Sequence, residues 1–503
     1  MIHGNLTGLK TSQIKALERI YRRRIPAAQV VSNELARYLS EISNEIRRQV
    51  GLVIDRSGSV KYVIVGDDRE IVIPDLSDFA LGRSGLRGLR CVHTHLQQEP
   101  LSADDLTDLA LLRLDLMVAI GVGERGLPGA ISYAHILPPN RQGKSVEVLQ
   151  ADSIYDLDLD LTAFLRALEA ELEQKMAETV DLSDSREKAI LISVSQESRR
   201  ETDASLDELT ELARTADVVV LDRFVQRLRK LNPKYLMGEG KAREVVIRAL
   251  QQGATLLIFD QDLAPTQVRS IAALTDLKVI DRSQLILDIF ARRAHTRDGK
   301  VQVELAQLKY ILPRLTGRGV ALSRLMGGIG GRGPGETKLE IDRRRIRDRI
   351  TRLERELKTL SRGRLQRRSR RAKAGVPIVS IVGYTNAGKS TLLNALTQSE
   401  VLTEDLLFAT LDTAIRRLRF PQEREVIITD TVGFIRKLPS SLLGAFKATL
   451  EEMEDADLLL HVVDAANPRF EEQVQAVERI LLELELRPDP PVVGLQQDRS
   501  VAG

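Results

Sequence analysis

Near the start of the chain, apolar residues recur at the three- and four-residue spacing of amphipathic helices. This spacing links Ile14, Leu17 and Ile20 in one segment and runs from Leu35 to Ile46 in the next. Another helix with this spacing is predicted to open at Pro100. Apolar runs predict strands at residues 51–55, 61–66 and 70–73, with a further run that ends at 95. We therefore expect residues 1–185 to form an N-terminal α/β extension.

From residue 186 onwards, short apolar runs alternate with helical periodicity. The runs predict buried strands at 189–193, 218–221, 255–259 and 278–280. The periodic segments predict helices at 205–215, 240–252 and 264–274. Such alternation is typical of a parallel sheet with right-handed crossovers. We assign residues 186–300 to a parallel α/β subdomain.

Residues 301–373 carry leucine and isoleucine at heptad spacing on both sides of a glycine-rich stretch. The residues at this spacing are Leu305, Leu308, Leu312 and Leu315, followed by Leu339, Ile346, Ile350, Leu353, Leu357 and Leu360. We expect two long helices that pair antiparallel through a loop at 316–336. The loop contains GGIGGRGPG at 327–335, which is too rich in glycine to be ordered by its own packing.

The segment 383–391 follows an apolar strand pattern and precedes a good helix former. It matches the P-loop pattern G-x-x-x-x-G-K-[ST], whose backbone N–H groups cradle phosphates at a helix N-terminus. The predicted nucleotide-binding residues of this loop are Gly383, Tyr384, Thr385, Asn386, Ala387, Gly388, Lys389, Ser390 and Thr391. Lys389 would neutralise phosphate oxygens and Ser390 would bind Mg²⁺. This context favours a P-loop over an ordinary glycine-rich turn.

Two later segments complete the pattern of a switch GTPase. Phe408, Ala409 and Thr410 lie where a switch threonine contacts the γ-phosphate and Mg²⁺. A predicted hairpin at 414–420 and 425–429 is followed by the D-x-x-G segment Asp430, Thr431, Val432 and Gly433, and 458–464 supplies the next strand. We predict Lys389, Thr410 and Gly433 as catalytic residues and Ser390, Thr410 and Asp430 as Mg²⁺ ligands.

Length and composition add expectations about domain number and cellular location. A chain of 503 residues is too long for one hydrophobic core, so we expect a multidomain α/β protein. The single Cys91, the lack of a long apolar run and the absence of a signal-peptide pattern predict a cytoplasmic protein without a membrane span. We expect a monomer.

Positive charge is concentrated locally, although the formal net charge is only +3. Lys and Arg cluster between residues 309 and 373, and the second predicted helix of the hairpin ends in a basic run. The run consists of Arg362, Arg364, Arg367, Arg368, Arg370, Arg371 and Lys373. A solvated helix face is the alternative, but two basic elements favour a phosphate-backbone partner.

His93, His95 and Asp105 offer two interpretations. Their order with Ser102 is similar to the H-x-H…S-x-x-D motif of the JAMM metallopeptidases, although the spacing from His95 to Asp105 is one residue shorter. The alternative is a pair of histidines at a strand end, followed by an Asp or Ser helix N-cap. We favour the N-cap and do not expect zinc in this extension.

The segments 281–296, 301–315 and 327–340 (GGIGGRGPGETKLE), together with the P-loop and switch segments, resemble the HflX family of ribosome-associated GTPases. The resemblance covers about residues 186–490. It implies a cytoplasmic GTPase that binds GTP, GDP and Mg²⁺ and associates with the large ribosomal subunit and its rRNA. It further implies splitting or rescue of stalled or stressed ribosomes. Residues 1–185 lie outside it.

This chain departs from the GTPase pattern at two points. Phe434 occupies the position where Ras-like proteins carry the glutamine that orients water, so we expect slow intrinsic hydrolysis. No N-K-x-D motif follows 458–464, and shifting the reading frame of the codons for 496–500 by one base gives sequences compatible with Asn-Lys-Ile-Asp. We therefore expect an incomplete G domain at 376–503, lacking its last strands and helices, with weak base discrimination. A frame-restored chain is expected to regain guanine selectivity.

Two functions of other classes remain open. If the incomplete G domain is inactive, the chain is a nucleotide-independent RNA- or ribosome-binding protein. A metallopeptidase-like activity in residues 1–185 is the third hypothesis, which the zinc content of that segment would test.

Overall fold

The computed structural model describes the chain from residue 2 to residue 497 with several gaps. The gaps are residues 77, 139, 141–143, 158, 180–185, 316–337, 375, 398–406, 409–413, 420–424, 432, 437–452, 454–455 and 484–492. The chain divides into two compact units. Unit 1 comprises Met1–Lys188, Met237–Leu256 and Ile271–Lys278, and unit 2 comprises Ala189–Leu236, Leu257–Ser270 and Val279–Gly503.

Unit 1 is built on a seven-stranded mixed sheet. Its strands are β1 Ile2–Gly4, β2 Val50–Asp55, β3 Val60–Val65, β4 Leu89–His95, β5 Leu116–Val122, β6 Pro128–Ile136 and β7 Val146–Ala151. Their order is β1-β3-β2-β4-β5-β6-β7. Every residue of the central strands β4 and β5, which pair in parallel, is buried. The continuous apolar run of β5 fits this central position, whereas β4 also buries Arg90, His93, Thr94 and His95.

The helices of this part of the chain include two that begin with a serine side-chain cap, at Ser32 and Ser102. The helices are α1 Thr11–Ile20, α2 Asn33–Ile46, α3 Ala103–Leu112 and α4 Leu161–Thr179, with 3₁₀ turns at Glu124–Gly126 and Ile154–Asp156. The Ser32 side chain accepts a hydrogen bond from the Leu35 N–H at the start of α2. The apolar stripe of α2 then buries Leu35 and Leu39 against the sheet. The prediction that the N-terminal residues fold as an α/β extension is therefore confirmed.

The strand predicted at 70–73 is wrong. The structure has no strand there, although Ile71 is buried in the core of unit 1. One edge of β3 already pairs with β2 and the other pairs in parallel with β1. No free strand edge of β3 therefore remains for this segment, and its apolar side chains pack from an irregular backbone.

The second α/β segment forms a four-stranded sheet. Its strands are β8 Lys188–Ser195, β9 Val219–Arg227, β10 Leu256–Phe259 and β11 Lys278–Asp281, in the order β11-β10-β8-β9. The accompanying helices are α5 Arg199–Thr215, α6 Glu239–Gln251, α7 Pro265–Ala272 and α8 Arg282–Arg293. The Ser198 and Glu201 side chains form a capping box at the start of α5.

The predicted helical hairpin is confirmed. It consists of α9 Arg297–Ile311, a 3₁₀ turn at Leu312–Arg314 and α10 Lys338–Ala374. Ion pairs join Arg297 to Glu356 and Glu304 to Arg349, so the helices run antiparallel. Their shared core contains Val301, Leu305, Leu308, Leu315, Ile346 and Leu353. The glycine-rich loop and the side chains of the basic run at 362–373 lie outside the described residues.

The nucleotide-binding segment forms a five-stranded sheet. Its elements are β12 Ile378–Gly383, α11 Lys389–Thr397, β13 Ala414–Arg419, β14 Glu425–Asp430, β15 Leu458–Asp464, α12 Phe470–Glu483 and β16 Val493–Gln497. The strand order is β13-β14-β12-β15-β16. The predicted β13–β14 hairpin is antiparallel, whereas β12 pairs in parallel with both β14 and β15.

Because the carboxyl ends of parallel strands meet at one edge, this order brings the P-loop after β12 next to the D-x-x-G segment after β14. The protein is therefore a multidomain α/β protein with a P-loop sheet. In the part of the chain that the structure describes, no helix has the length and apolar character needed to cross a bilayer.

Candidate nucleotide-binding site

The loop between β12 and α11 has a backbone that its glycines make possible. Gly383 has a φ of 153°, and a Cβ at this position would lie 2.4 Å from the carbonyl oxygen of Val462 on β15. Asn386 and Gly388 also have positive φ, at 61° and 87°. These angles curl the loop between the strand and the helix, so the sequence pattern has its expected strand–loop–helix setting.

Lys389 is the first residue of α11, and its ammonium group turns back into the loop. The Nζ atom donates a hydrogen bond to the carbonyl oxygen of Tyr384 at 2.6 Å. Burial lowers the pKa of Lys389 to about 8, and the nearby Asp430 carboxylate only partly opposes this shift. A buried cation in a loop of this shape is suited to binding phosphate oxygens.

Ser390 and Asp430 lie together, as the predicted metal set requires. The Ser390 hydroxyl donates a hydrogen bond to Oδ2 of Asp430 at 2.6 Å. The Asp430 side chain is fully buried at the end of β14. A hydroxyl and a carboxylate are the oxygen ligands that Mg²⁺ prefers, so these two residues fit that ion. When bound with nucleotide, Mg²⁺ would neutralise phosphate charge.

Backbone hydrogen bonds join the end of the D-x-x-G segment to the P-loop. The Phe434 N–H donates to the Gly383 carbonyl at 3.1 Å, and the Thr385 N–H donates to the Phe434 carbonyl at 2.7 Å. A Cβ on Gly433 would lie 2.7 Å from Cγ2 of Thr385 and 2.9 Å from Nζ of Lys389. Glycine is therefore required at 433 because the P-loop approaches so closely.

Other predicted site residues have different surroundings. Thr431 is buried and donates its hydroxyl to the Ile381 carbonyl, whereas Thr391 is exposed on α11. Phe408 is 2 % exposed, and its ring packs edge-on against Phe290, with the centroids 4.7 Å apart. Its side chain thus belongs to the core, and only its backbone remains a candidate for nucleotide contact. Ala409, Thr410 and Val432 lie outside the described residues.

The structure adds a contact that sequence reasoning missed. The Tyr384 hydroxyl donates to the Glu208 carboxylate of α5 at 2.5 Å and accepts a hydrogen bond from the Arg436 N–H at 2.7 Å. Glu208 also pairs with Arg282 at 2.9 Å. Burial raises the pKa of Tyr384 well above its ordinary value. No sequence signal pointed to this contact, because the partners lie 176 residues apart.

A cavity of about 370 Å³ lies beside the loop. Its lining includes Thr385, Asn386 and Ala387 of the P-loop, together with Glu208 from α5 and Arg436. The tyrosine hydrogen bond therefore places an element of the preceding α/β subdomain at the wall of the candidate site. Both lie within unit 2.

Three family models match consecutive parts of the chain. They are described as "GTP-binding GTPase N-terminal" at 203–291, "GTP-binding GTPase Middle Region" at 293–371 and "50S ribosome-binding GTPase" at 378–496. The GTPase HflX of Caldanaerobacter subterraneus subsp. tengcongensis is 51% identical over 304 residues, covering 60% of this chain and 71% of that protein. The chain belongs to the HflX GTPase family. Its GTPase domain lies within the third match.

Two further similarities support the assignment of this HflX-family chain or match its fold in part. The GTPase HflX of Escherichia coli K12 is 45% identical over 313 residues, covering 62% of this chain and 73% of that protein. A solved GTP-binding protein of the archaeon Sulfolobus solfataricus, in complex with GDP, is 25% identical with a TM-score of 0.33. That alignment covers 59% of this chain and 78% of the archaeal one.

The residues to which the frame-shift hypothesis applies begin in the last strand of this HflX-family fold, β16. β16 pairs in parallel with β15, with Gln496 opposite Val463 and Gln497 opposite Asp464. These residues thus lie at the same sheet edge as the P-loop. The Asn-Lys-Ile-Asp interpretation of the shifted frame remains a prediction.

Proposed function

We propose that this chain binds GTP at the P-loop and, in that state, associates in the cytoplasm with the large ribosomal subunit. There it would split or rescue stalled ribosomes. The observation that carries the proposal is the buried Lys389 beside the Ser390–Asp430 pair, because this phosphate- and Mg²⁺-compatible set lies in the segment that matches the "50S ribosome-binding GTPase" model.

The charge of α10 supports an RNA partner. Residues 338–374 contain 16 Lys and Arg but only 5 Asp and Glu. Arg345, Arg347, Arg352 and Arg355 are exposed on this helix. Side chains of this kind contact phosphate oxygens with little dependence on base sequence, and they release counterions on binding.

In the proposed mechanism, Lys389 and the loop N–H groups would hold the β- and γ-phosphates, and Ser390 and Asp430 would hold Mg²⁺, which supplies positive charge. Gly433 lets the segment after β14 approach the γ-phosphate position, and Thr410 would complete the metal set. Phe434 is 2 % exposed and apolar, so it cannot orient an attacking water. Hydrolysis is therefore expected to be slow until the ribosome supplies the missing interaction.

Sedimentation with purified large subunits tests the proposal. The full chain should pellet with the subunits in the presence of a non-hydrolysable GTP analogue, and much less with GDP or without nucleotide. Lys389→Ala should lose this nucleotide dependence, because the loop loses its fixed cation. Lys241→Ala is the matched control, since Lys241 is a surface lysine that pairs with Glu244 outside the P-loop.

Another outcome of the sedimentation experiment would favour a different function. Pelleting that is equal in all nucleotide states would support the nucleotide-independent RNA-binding function, which the basic helix α10 also favours.

The salt dependence of ribosome binding tests the contacts of α10. Arg352→Ala and Arg355→Ala should each reduce the slope of log binding constant against log salt concentration by about 0.7–0.9 if these residues contact phosphates. An unchanged slope would mean that this face of α10 is only solvated.

A further inference from the structure

Unit 1 contains a cluster of three metal-ligating side chains that the GTPase function does not use. His93 and His95 alternate along β4, so both side chains lie on the same face of the sheet. Asp105 lies in the first turn of α3, which begins shortly after that strand. One ligand atom from each residue can be chosen so that all three lie within 4.8 Å of one another.

The spacing of these atoms suits a small metal ion. The two Nε2 atoms are 2.9 Å apart. Nε2 of His93 lies 3.2 Å from Oδ1 of Asp105, and Nε2 of His95 lies 3.5 Å from Oδ2. Zinc bonds of about 2.0–2.2 Å at tetrahedral angles separate neighbouring ligand atoms by about 3.4 Å. The three observed separations lie on either side of that value.

A hydrogen bond determines which tautomer of His95 is present and leaves its Nε2 atom as an acceptor. Its Nδ1 atom lies 2.8 Å from the Glu99 carbonyl oxygen, which can only accept, so Nδ1 carries the hydrogen. The Nε2 atom of the neutral ring then directs a lone pair towards Asp105 and His93. A bond from the second ring nitrogen to a backbone carbonyl is the usual support of a metal-binding histidine.

Helix capping accounts for only part of this arrangement. The Ser102 N–H and hydroxyl both donate to Oδ2 of Asp105 at 2.7 Å, and the Asp105 N–H donates to the Ser102 hydroxyl. The capping interpretation of the sequence is therefore confirmed. It does not explain why two imidazoles converge on the same carboxylate, which the Ser102 bonds hold in position.

The converging atoms are largely shielded from solvent, because His93 and His95 are only 0 % and 2 % exposed. The His93 Nε2 atom faces both the His95 ring and the Asp105 carboxylate. A single proton shared by the histidines would satisfy one lone pair. A dication would satisfy all three converging atoms and balance the carboxylate charge.

We propose that His93, His95 and Asp105 bind one divalent transition-metal ion. Two imidazoles and one carboxylate are the donor set of open zinc sites and of non-haem iron(II) sites. Three protein ligands leave at least one coordination position for water or another ligand. The proposal is independent of the GTPase function, because it concerns unit 1 alone.

The full-length chain, purified, stripped with a chelator and reloaded with Zn²⁺, provides the test. Elemental analysis should find one zinc per chain, and competition with a chromogenic chelator should give its affinity. His95→Gln and Asp105→Asn should each lower that affinity by about 100-fold or more, since loss of even an outer-shell partner costs about 10–100-fold. Elemental analysis of the chain as first isolated distinguishes zinc from iron.

His135→Gln is the matched control. His135 is another buried histidine of unit 1, but it pairs with Glu147 on β7 and lies outside the cluster. This variant should keep full zinc binding. Zinc uptake by the stripped wild-type chain that is no greater than in His95→Gln and Asp105→Asn would overturn the proposal, because that metal would be adventitious.

A measurement on the wild-type chain alone covers the case in which the ligand variants do not fold. Zn²⁺ should raise the unfolding temperature of the stripped chain, whereas the same concentration of Mg²⁺ should not, because imidazole nitrogen is a poor ligand for Mg²⁺. Equal shifts with both ions, or none with zinc, would contradict the proposed site.

Discussion

Lys389 supplies the buried positive charge of the candidate nucleotide-binding site. Its ammonium group is buried, and burial lowers its pKa to about 8. Nucleotide phosphates would stabilise the charged form and raise that pKa, so binding takes up a proton at pH values above about 8. Nucleotide affinity should therefore be nearly constant below pH 8 and fall by about tenfold per pH unit above it.

Fluorescent GDP titrated between pH 7 and pH 9 measures this dependence. Lys389→Ala should bind about tenfold to a hundredfold more weakly at pH 7, as expected for the loss of a charged hydrogen bond of about 1.5–3 kcal/mol. The GDP affinity of this variant should not begin to fall near pH 8. If it does fall as in the wild-type chain, the pH dependence comes from another group.

Gly433 tests the close contact between the D-x-x-G segment and the P-loop. In Gly433→Ala the new methyl group would lie within 3 Å of Thr385 and Lys389, so the loop must shift. We expect nucleotide affinity to fall by about tenfold or more. Gly240→Ala is the matched control, because a Cβ there meets no atom within 4 Å, and alanine favours a helix by about 1 kcal/mol. Equal affinity in both variants would show that the loop tolerates the methyl group.

At the same scale, local patterns predicted some site features and not others. The pattern of 383–391 predicted the conformation around Gly383 and Lys389, because strand, glycine turn and helix are encoded in adjacent residues. The Tyr384–Glu208 bond and the packing of Phe408 on Phe290 were not predictable. Each depends on a partner from a distant segment, which the folded chain alone brings near.

Among the elements, the α9–α10 hairpin shows how apolar periodicity determines structure. Leu353 is fully buried in the hairpin core, whereas Arg349 and Glu304 pair on its surface with about two-fifths of each side chain exposed. Leu353→Ala should lower the free energy of opening of the hairpin by about 2–5 kcal/mol. Arg349→Ala should lower it by no more than about 1 kcal/mol, since solvent screens the pair.

Hydrogen exchange of the backbone amides of α9 and α10 reports this local free energy directly. A larger effect for Arg349→Ala than for Leu353→Ala would mean that charge pairing, and not the heptad core, holds the helices together.

Strand prediction was less reliable than helix prediction for a physical reason. The segment 70–73 has the composition of a strand, but a strand also needs a free neighbour, and both edges of β3 are taken by β1 and β2. A helix satisfies its hydrogen bonds within its own residues. Heptad spacing was therefore sufficient for α9 and α10, whereas strand pairing depends on the whole sheet.

For the whole molecule, the sequence predicted a multidomain α/β protein with a P-loop sheet. The seven-stranded sheet of unit 1 was only partly foreseen, since no sequence pattern revealed that β1 pairs with β3, which lies far along the chain. The order of His93, His95 and Asp105 suggested a shared site, but it could not show that their ligand atoms lie within 4.8 Å of one another. The family-model matches extend from 203 to 496, so unit 1 lies mostly outside them.

We propose that the phosphate-binding P-loop, with an apolar residue at 434, belongs to a GTPase that the ribosome activates. The most direct measurement is the single-turnover rate of GTP hydrolysis by the full chain, with and without purified large ribosomal subunits. We predict a slow intrinsic rate that the subunits raise by at least about tenfold, and no stimulation in Lys389→Ala. A rate that is unchanged by the subunits, although the chain binds both GTP and the ribosome, would contradict this proposal.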